Sequence, residues 1–177
     1  MGITIHYSFM ARSKQAVLRA LQQAKAIAGM TGMQIREDKE LGLVIHPHPR
    51  CETLALRFAQ WKEVKAVKEW DYCKADMEDF AKVLHDNCYV CADFCKTQFA
   101  GHETHRVVAE LLRKVAAHCT LAYVSDEAGY YETGDGEKAK ENIDANARMI
   151  DSFVGKLKEK GWKVVHPSLE NEGGGNA

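Results

Sequence analysis

Twice in this chain a stretch that reads as a strand gives way, within a few residues, to an apolar repeat of helical period. In residues 3–9, ITIHYSF, branched and aromatic side chains alternate with smaller or polar ones, the pattern of a strand packed on one face. Ser13 then supplies an N-cap, and Val17, Leu21, Ala24 and Ala28 recur at helical spacing as far as Gly29, which suits the position just past a helix C-terminus. The same change follows residues 89–98, a second strand, where Gly101 opens a helix with Val108, Leu111, Leu112 and Val115 on one face. Two such units call for helices packed against a sheet.

The intervening pattern completes an α+β reading. Residues 33–36 and 42–46 form two strands around the charged turn EDKELG, and Pro47 and Pro49 end the second because neither donates to a ladder. Leu54, Leu56 and Phe58 alternate as a further strand, residues 61–73 show no clean period, and Asp76 caps a short helix with Met77, Phe80, Ala81 and Leu84 on its apolar face. In the second half, residues 121–124 are a strand, SDEAG is a turn, and Tyr130 and Tyr131 resume extended structure. Laid side by side, the halves put Phe9 against Phe99, Val17 against Val107, Leu18 against Val108 and Leu21 against Leu111, so a duplicated strand-helix-strand-strand unit is expected. A last helix is capped by Asp135, carries Ile143, Ile150, Val154 and Leu157 on one face, and ends at Gly161 with Trp162 packing back. Lys156, Lys158 and Lys160 suit the negative end of its dipole.

The fold class that follows is a two-layer α+β sandwich, with a largely antiparallel sheet on one side and the helices on one face of it. Residues 1–167 form a single domain, and residues 168–177, ending NEGGGNA, form a disordered tail. With 24 Lys+Arg against 25 Asp+Glu, the chain has no net field to attract nucleic acid or an anionic membrane, and neither is expected as a partner. No apolar run reaches the roughly 18 residues of a membrane span, and no signal-peptide pattern opens the chain, so a cytoplasmic location is expected.

Six cysteines in such a chain are thiols or metal ligands before they are disulfides. Cys88, Cys91 and Cys95, with His102 and His105, have suggestive ligand spacing. On a strand, however, Cys91 and Cys95 stand about 13 Å apart at roughly 3.3 Å per residue, and Cys88 faces away from Cys91. The expectation is small buried thiols, with no metal centre and no cofactor. His102 and His105, one helical turn apart, leave open half of a zinc or iron site with Asp126 or Glu127. No GxSxG elbow, P-loop, GxGxxG or HExxH occurs.

The densest polar cluster is FCKTQFAGHETH, residues 94–105, followed by SDEAGYYETGD, residues 125–135. These segments resemble a family of small uncharacterised prokaryotic proteins in which KTQ(F/Y)A and DEG-x-Y-(W/Y)-ET-x-D stretches recur; no activity attaches to that family. Here Ala128 stands where the pattern has Gly. The resemblance implies that Lys96, Thr97, Gln98, His105, Asp126, Glu127, Tyr131, Glu132 and Asp135 belong together. The duplicated unit is in turn similar to the architecture of GyrI-like ligand-binding domains, in which two such units enclose a small-molecule groove.

The leading expectation is a protein that binds a small polar molecule in a solvent-accessible cleft between the two segments. Lys96, Thr97, Gln98, His102, Tyr131, Glu132 and Asp135 would contact the ligand. Asp126, Glu127 and Glu132 favour a cationic or polyhydroxylated ligand, Lys96 and the helix start favour an anionic group, and a zwitterion satisfies both. The enzymatic alternative is hydrolytic or isomerising, with His105 and Asp126 or Glu127 exchanging protons, with or without a metal. A third reading is an interaction module or homodimer anchored by Trp61, Trp70 and Tyr72. A cleft of this kind predicts that replacing His105 or Glu127 by Ala abolishes binding without altering the melting temperature.

Overall fold

The computed structural model describes residues 3–64 and 84–163. Its elements in chain order are β1 (Thr4–Ala11), α1 (Lys14–Met30), β2 (Gln34–Glu37), β3 (Gly42–His46), β4 (Leu54–Arg57), β5 (Ala59–Gln60), α2 (Trp61–Val64), β6 (Tyr89–Lys96), α3 (His102–Ala116), β7 (Leu121–Asp126), α4 (Tyr130–Thr133) and α5 (Gly136–Glu159). Every strand pairing among the described residues is antiparallel. Four strands lie in the order β5-β6-β1-β7, and three more form a second sheet, β2-β3-β4. The protein is thus a two-layer α+β fold, but its strands divide into two sheets rather than one.

Burial explains the order. The alternation read in residues 3–9 puts Ile5, Tyr7 and Phe9 on the inward face of β1, opposite Cys95, Asp93 and Cys91 of β6, while His6 on the other face is exposed. Strand β1 is central, paired antiparallel with β6 on one side and β7 on the other, and its own side chains are almost all buried. Helices α1 and α3 pack on each other, and their faces Val17, Leu21, Ala24 and Ala28, and Val108, Leu111, Leu112 and Val115, meet the sheet in one core. Leu43, Ile45, Leu54 and Leu56 of the second sheet enter that same core, and the Tyr7 hydroxyl donates to the Ala55 carbonyl at 3.0 Å across the boundary between sheets.

Helix ends follow local chemistry. Ser13 Oγ accepts from the Ala16 amide at 3.2 Å, as an N-cap should. At the other end Gly29 lies inside α1, and Gly32, at φ 71°, terminates it. The Met33 amide reaches the Ala28 carbonyl and the Gly32 amide the Gly29 carbonyl, a Schellman closure that needs the left-handed residue after Thr31. Helix α5 starts as read, with Asp135 Oδ1 accepting from the Lys138 amide at 3.0 Å, and Gly161 closes it in the same way as Gly32 closes α1.

Three expectations are corrected. Tyr130 and Tyr131 are not extended: left-handed Gly129 and Gly134 bracket them into the single helical turn α4. The second half therefore has one strand after its helix, β7, which joins the sheet of β1, whereas the first half has the separate β2-β3 pair. The duplicated strand-helix-strand-strand unit is not completed. Trp162 does not pack back but is 67% exposed, and along the distal half of α5 Met149 and Phe153 are exposed as well. The helix expected after Asp76, the aromatic anchors Trp70 and Tyr72, and the tail lie outside the described residues.

Since Leu112 is fully buried and Phe153 is 61% exposed, Leu112→Ala should cost about 2–5 kcal/mol in urea unfolding. Phe153→Ala should stay within about 0.5 kcal/mol. Comparable losses from both would place the distal half of α5 in the core.

Candidate functional site

Antiparallel pairing brings the two polar segments to one edge of the four-stranded sheet. Thr4 lies opposite Lys96 and Ile5 opposite Asp126, so the C-terminal ends of β6 and β7 flank the N-terminal end of β1. The Thr97 amide extends one side by donating to the Ile3 carbonyl at 3.1 Å. Glu127 extends the other: its amide donates to the Thr4 carbonyl, and its Oε2 accepts from the Thr4 amide at 2.8 Å.

Behind this junction lies a buried polar chain. Thr97 Oγ1 is 2.7 Å from His105 Nδ1, and His105 Nε2 is 3.0 Å from Asp126 Oδ2. A carboxylate only accepts, so Nε2 carries the proton directed at Asp126. Thr97 and His105 have no exposed surface, and the Asp126 side chain has none either. Asp126 also accepts from the Ala128 amide at 2.8 Å and the Tyr131 amide at 2.9 Å, so each acceptor oxygen is engaged. Burial pushes the Asp126 carboxyl up, but the hydrogen bond and charge of His105, with the Tyr131 and Ala128 amides, outweigh it and hold the carboxyl below the ordinary aspartate range.

The same bonds explain why Tyr130 and Tyr131 turn. Glu132 Oε1 accepts from the Asp126 amide at 3.0 Å, so the turn folds back on the strand it leaves. Arg113, which the sequence reading missed, clamps the turn to α3. Its guanidinium donates to the carbonyls of Tyr130 and Tyr131, pairs with Glu110, and sits 5.2 and 5.3 Å from the two tyrosine ring centroids. An Arg in the last turn of a helix reads as a dipole partner, so nothing in its position along the chain signalled this role.

Of the expected site residues, Thr97, His105, Asp126, Glu127, Tyr131 and Glu132 thus meet in a satisfied network. Asp135 is the cap of α5, and His102 pairs with neighbouring Glu103 at 3.1 Å. Among the described residues a crevice of about 60 Å3, bordered by His102, His105, Arg106, Tyr130 and Glu137, lies between the segments. That is room for a water or two. The expected open cleft around His105 is therefore corrected: hydrogen bonds that read as ligand contacts along the chain are consumed within the protein. Both His105 nitrogens are engaged inside it, which leaves neither for a substrate in this arrangement.

Lys96 and Gln98 point elsewhere. With Phe99 they form one wall of a surface concavity of about 320 Å3, and Pro49, Arg50, Cys51 and Glu52 form the other. The Glu52 amide donates to the Lys96 carbonyl at 3.1 Å, which fixes the loop before β4 beside the end of β6. Two depressions of about 370 and 390 Å3 border the β2-β3 turn, but their walls carry closed ion pairs, Arg57 with Asp38 and Lys25 with Glu37. By contrast, the buried Gln98 Oε1 has no hydrogen-bond partner among the described residues, and Lys96 has no ion pair among them. Among the described residues no group of three or more His, Cys, Asp or Glu is placed to hold a metal ion.

No family model, curated protein or solved structure matches this chain. The site is therefore read from its own geometry.

His105→Ala should destabilise the protein by about 3–5 kcal/mol, because it strands a buried carboxylate. Thr97→Val should cost about 1–3 kcal/mol by leaving Nδ1 without its hydroxyl. This reverses the expectation of an unchanged melting temperature and is checked by denaturant unfolding. Since the folded carboxyl lies below its unfolded value of about 3.9, its contribution is complete above that value and is lost as pH falls through the folded one. Wild-type stability should accordingly drop on acidification below about pH 4, while Asp126→Asn should be weaker at neutral pH and less dependent on acid.

Proposed function

We propose that the protein binds a small zwitterionic or anionic molecule in the concavity between residues 49–52 and 96–99. The observation that carries this reading is the buried, unpartnered Gln98 Oε1 beside Lys96. A buried acceptor without a donor costs roughly 1–3 kcal/mol, which a ligand N–H or O–H recovers. Lys96 offers positive charge to a carboxylate or phosphate, and Glu52 offers a partner to an ammonium group. About 320 Å3 suits an amino-acid-sized molecule.

The second polar segment acts on this reading as a support. Thr97 sits between Lys96 and Gln98 and points inward to His105, so the His105–Asp126 pair holds the backbone from which the two ligand-facing side chains project.

Amide chemical shifts recorded with zwitterionic amino acids, and separately with inorganic phosphate, test the proposal. Perturbations should concentrate in residues 49–52 and 96–99. Lys96→Ala should weaken binding about tenfold or more, since a charge-assisted hydrogen bond is worth about 1.5–3 kcal/mol, with stability changed by no more than about 0.5 kcal/mol. Shifts confined to other surfaces, or an absence of shifts with every probe, would reject it.

A further inference from the structure

Two cysteines far apart in the chain meet at the edge of the concavity. Cys51 Sγ and Cys95 Sγ are 3.7 Å apart, although 44 positions separate the residues. Their backbones are held side by side: the Glu52 amide donates to the Lys96 carbonyl at 3.1 Å, the Cys51 thiol to the same carbonyl at 3.4 Å, and the Cys95 thiol to the Glu52 carbonyl at 3.3 Å. Both are free thiols, one half-buried on the wall of the concavity and one buried behind it. To form a bond the sulfurs must close from this separation to about 2.05 Å.

We infer that Cys51 and Cys95 form a dithiol site that reacts with low-molecular-weight organic disulfides and becomes an intramolecular disulfide. Cys51, the half-buried thiol on the wall of the concavity, attacks one sulfur of the small disulfide. One Cys51–sulfur bond forms, the small S–S bond breaks, and one small thiol leaves with the Cys51 proton. Cys95 then attacks Cys51 Sγ, the mixed disulfide breaks, and a second small thiol leaves with the Cys95 proton. The two protein thiols are oxidised and the small disulfide is reduced to two thiols, so atoms and electrons balance.

The order of events follows from the surroundings. The hydrogen bond with Cys51, followed by burial, holds the Cys95 thiol far above the ordinary range, so it does not begin the exchange. Capping Cys51 removes the larger of those causes and leaves Cys95 beside an electrophilic sulfur. The remaining described cysteines lack such a partner. Cys91 directs its thiol toward the Ala55 carbonyl in the core, Cys88 bonds the His85 carbonyl, and burial pushes Cys119 up to about 12 beside the Val115 carbonyl. This chemistry does not depend on the ligand proposed above, because it needs only the pair and access to Cys51.

The experiment treats the full chain with 2-hydroxyethyl disulfide, blocks remaining thiols with iodoacetamide, and maps peptides by mass without reduction. The expected result is a cross-link joining the peptides that contain Cys51 and Cys95, with the mass of two hydrogens lost and restored by dithiothreitol. Cys95→Ser should stop at a stable mixed disulfide on Cys51, and Cys51→Ser should leave Cys95 unmodified. A wild-type chain that keeps Cys95 alkylatable while Cys51 carries the small thiol, or that cross-links other cysteines instead, overturns the inference. The wild-type map decides the matter even where a variant fails to fold.

Discussion

The hydrogen bond between His105 and Asp126 is the constraint from which the rest of this end of the molecule follows. A carboxylate with no exposed side-chain surface is tolerated only when its oxygens are fully engaged, since an unpaired buried charge costs several kcal/mol. Asp126 meets that demand with an imidazole from α3 and two amides from the turn that follows β7. The donors come from two separate stretches of backbone, helix α3 and the turn, so satisfying one side chain fixes the end of β7, the start of α3 and the turn α4 relative to one another.

From there the order passes to the surface. The His105 ring is held on its other nitrogen by Thr97, and the Thr97 amide is tied to Ile3. Lys96 and Gln98 flank that anchored residue and take part in the concavity instead of the buried chain. A strand end whose middle residue is pinned inward presents its neighbours outward with little freedom, which is the condition for a pocket wall that is ready before a ligand arrives. The facing wall, residues 49–52, is carried by the second sheet's approach to β6. The same approach puts Cys51 against Cys95.

The departure from a repeated unit has the same origin. After β3 the chain in the first half returns antiparallel as β4, whereas after β7 the amides of Ala128 and Tyr131 are taken by Asp126 and are not offered to a neighbouring strand. Glycines with positive φ at 129 and 134 complete the turn, and Arg113 covers it. A hairpin would have required those amides for its ladder.

Periodicity along the chain was enough to determine the strands β1, β3, β4 and β6, the helices α1, α3 and α5, and the buried faces of α1 and α3, because the spacing of apolar residues is a local property that burial enforces; of the face read on α5, Ile143 alone is buried. Caps at Ser13 and Asp135 were equally local, since each oxygen bonds an amide three residues away. The clustering of Thr97, His105 and Asp126 was also legible, as polar residues crowded at element ends. What only the tertiary structure decided was the direction in which that polarity is used. Along the chain, a histidine that seeks a carboxylate looks the same whether the pair lines a cleft or closes a core. Antiparallel pairing on both sides of β1 brought the two segments together behind the sheet edge, and left the accessible polar surface to Lys96, Gln98 and a proline-flanked loop from the other sheet. No local rule couples Cys51 to Cys95, because their meeting depends on how two sheets abut.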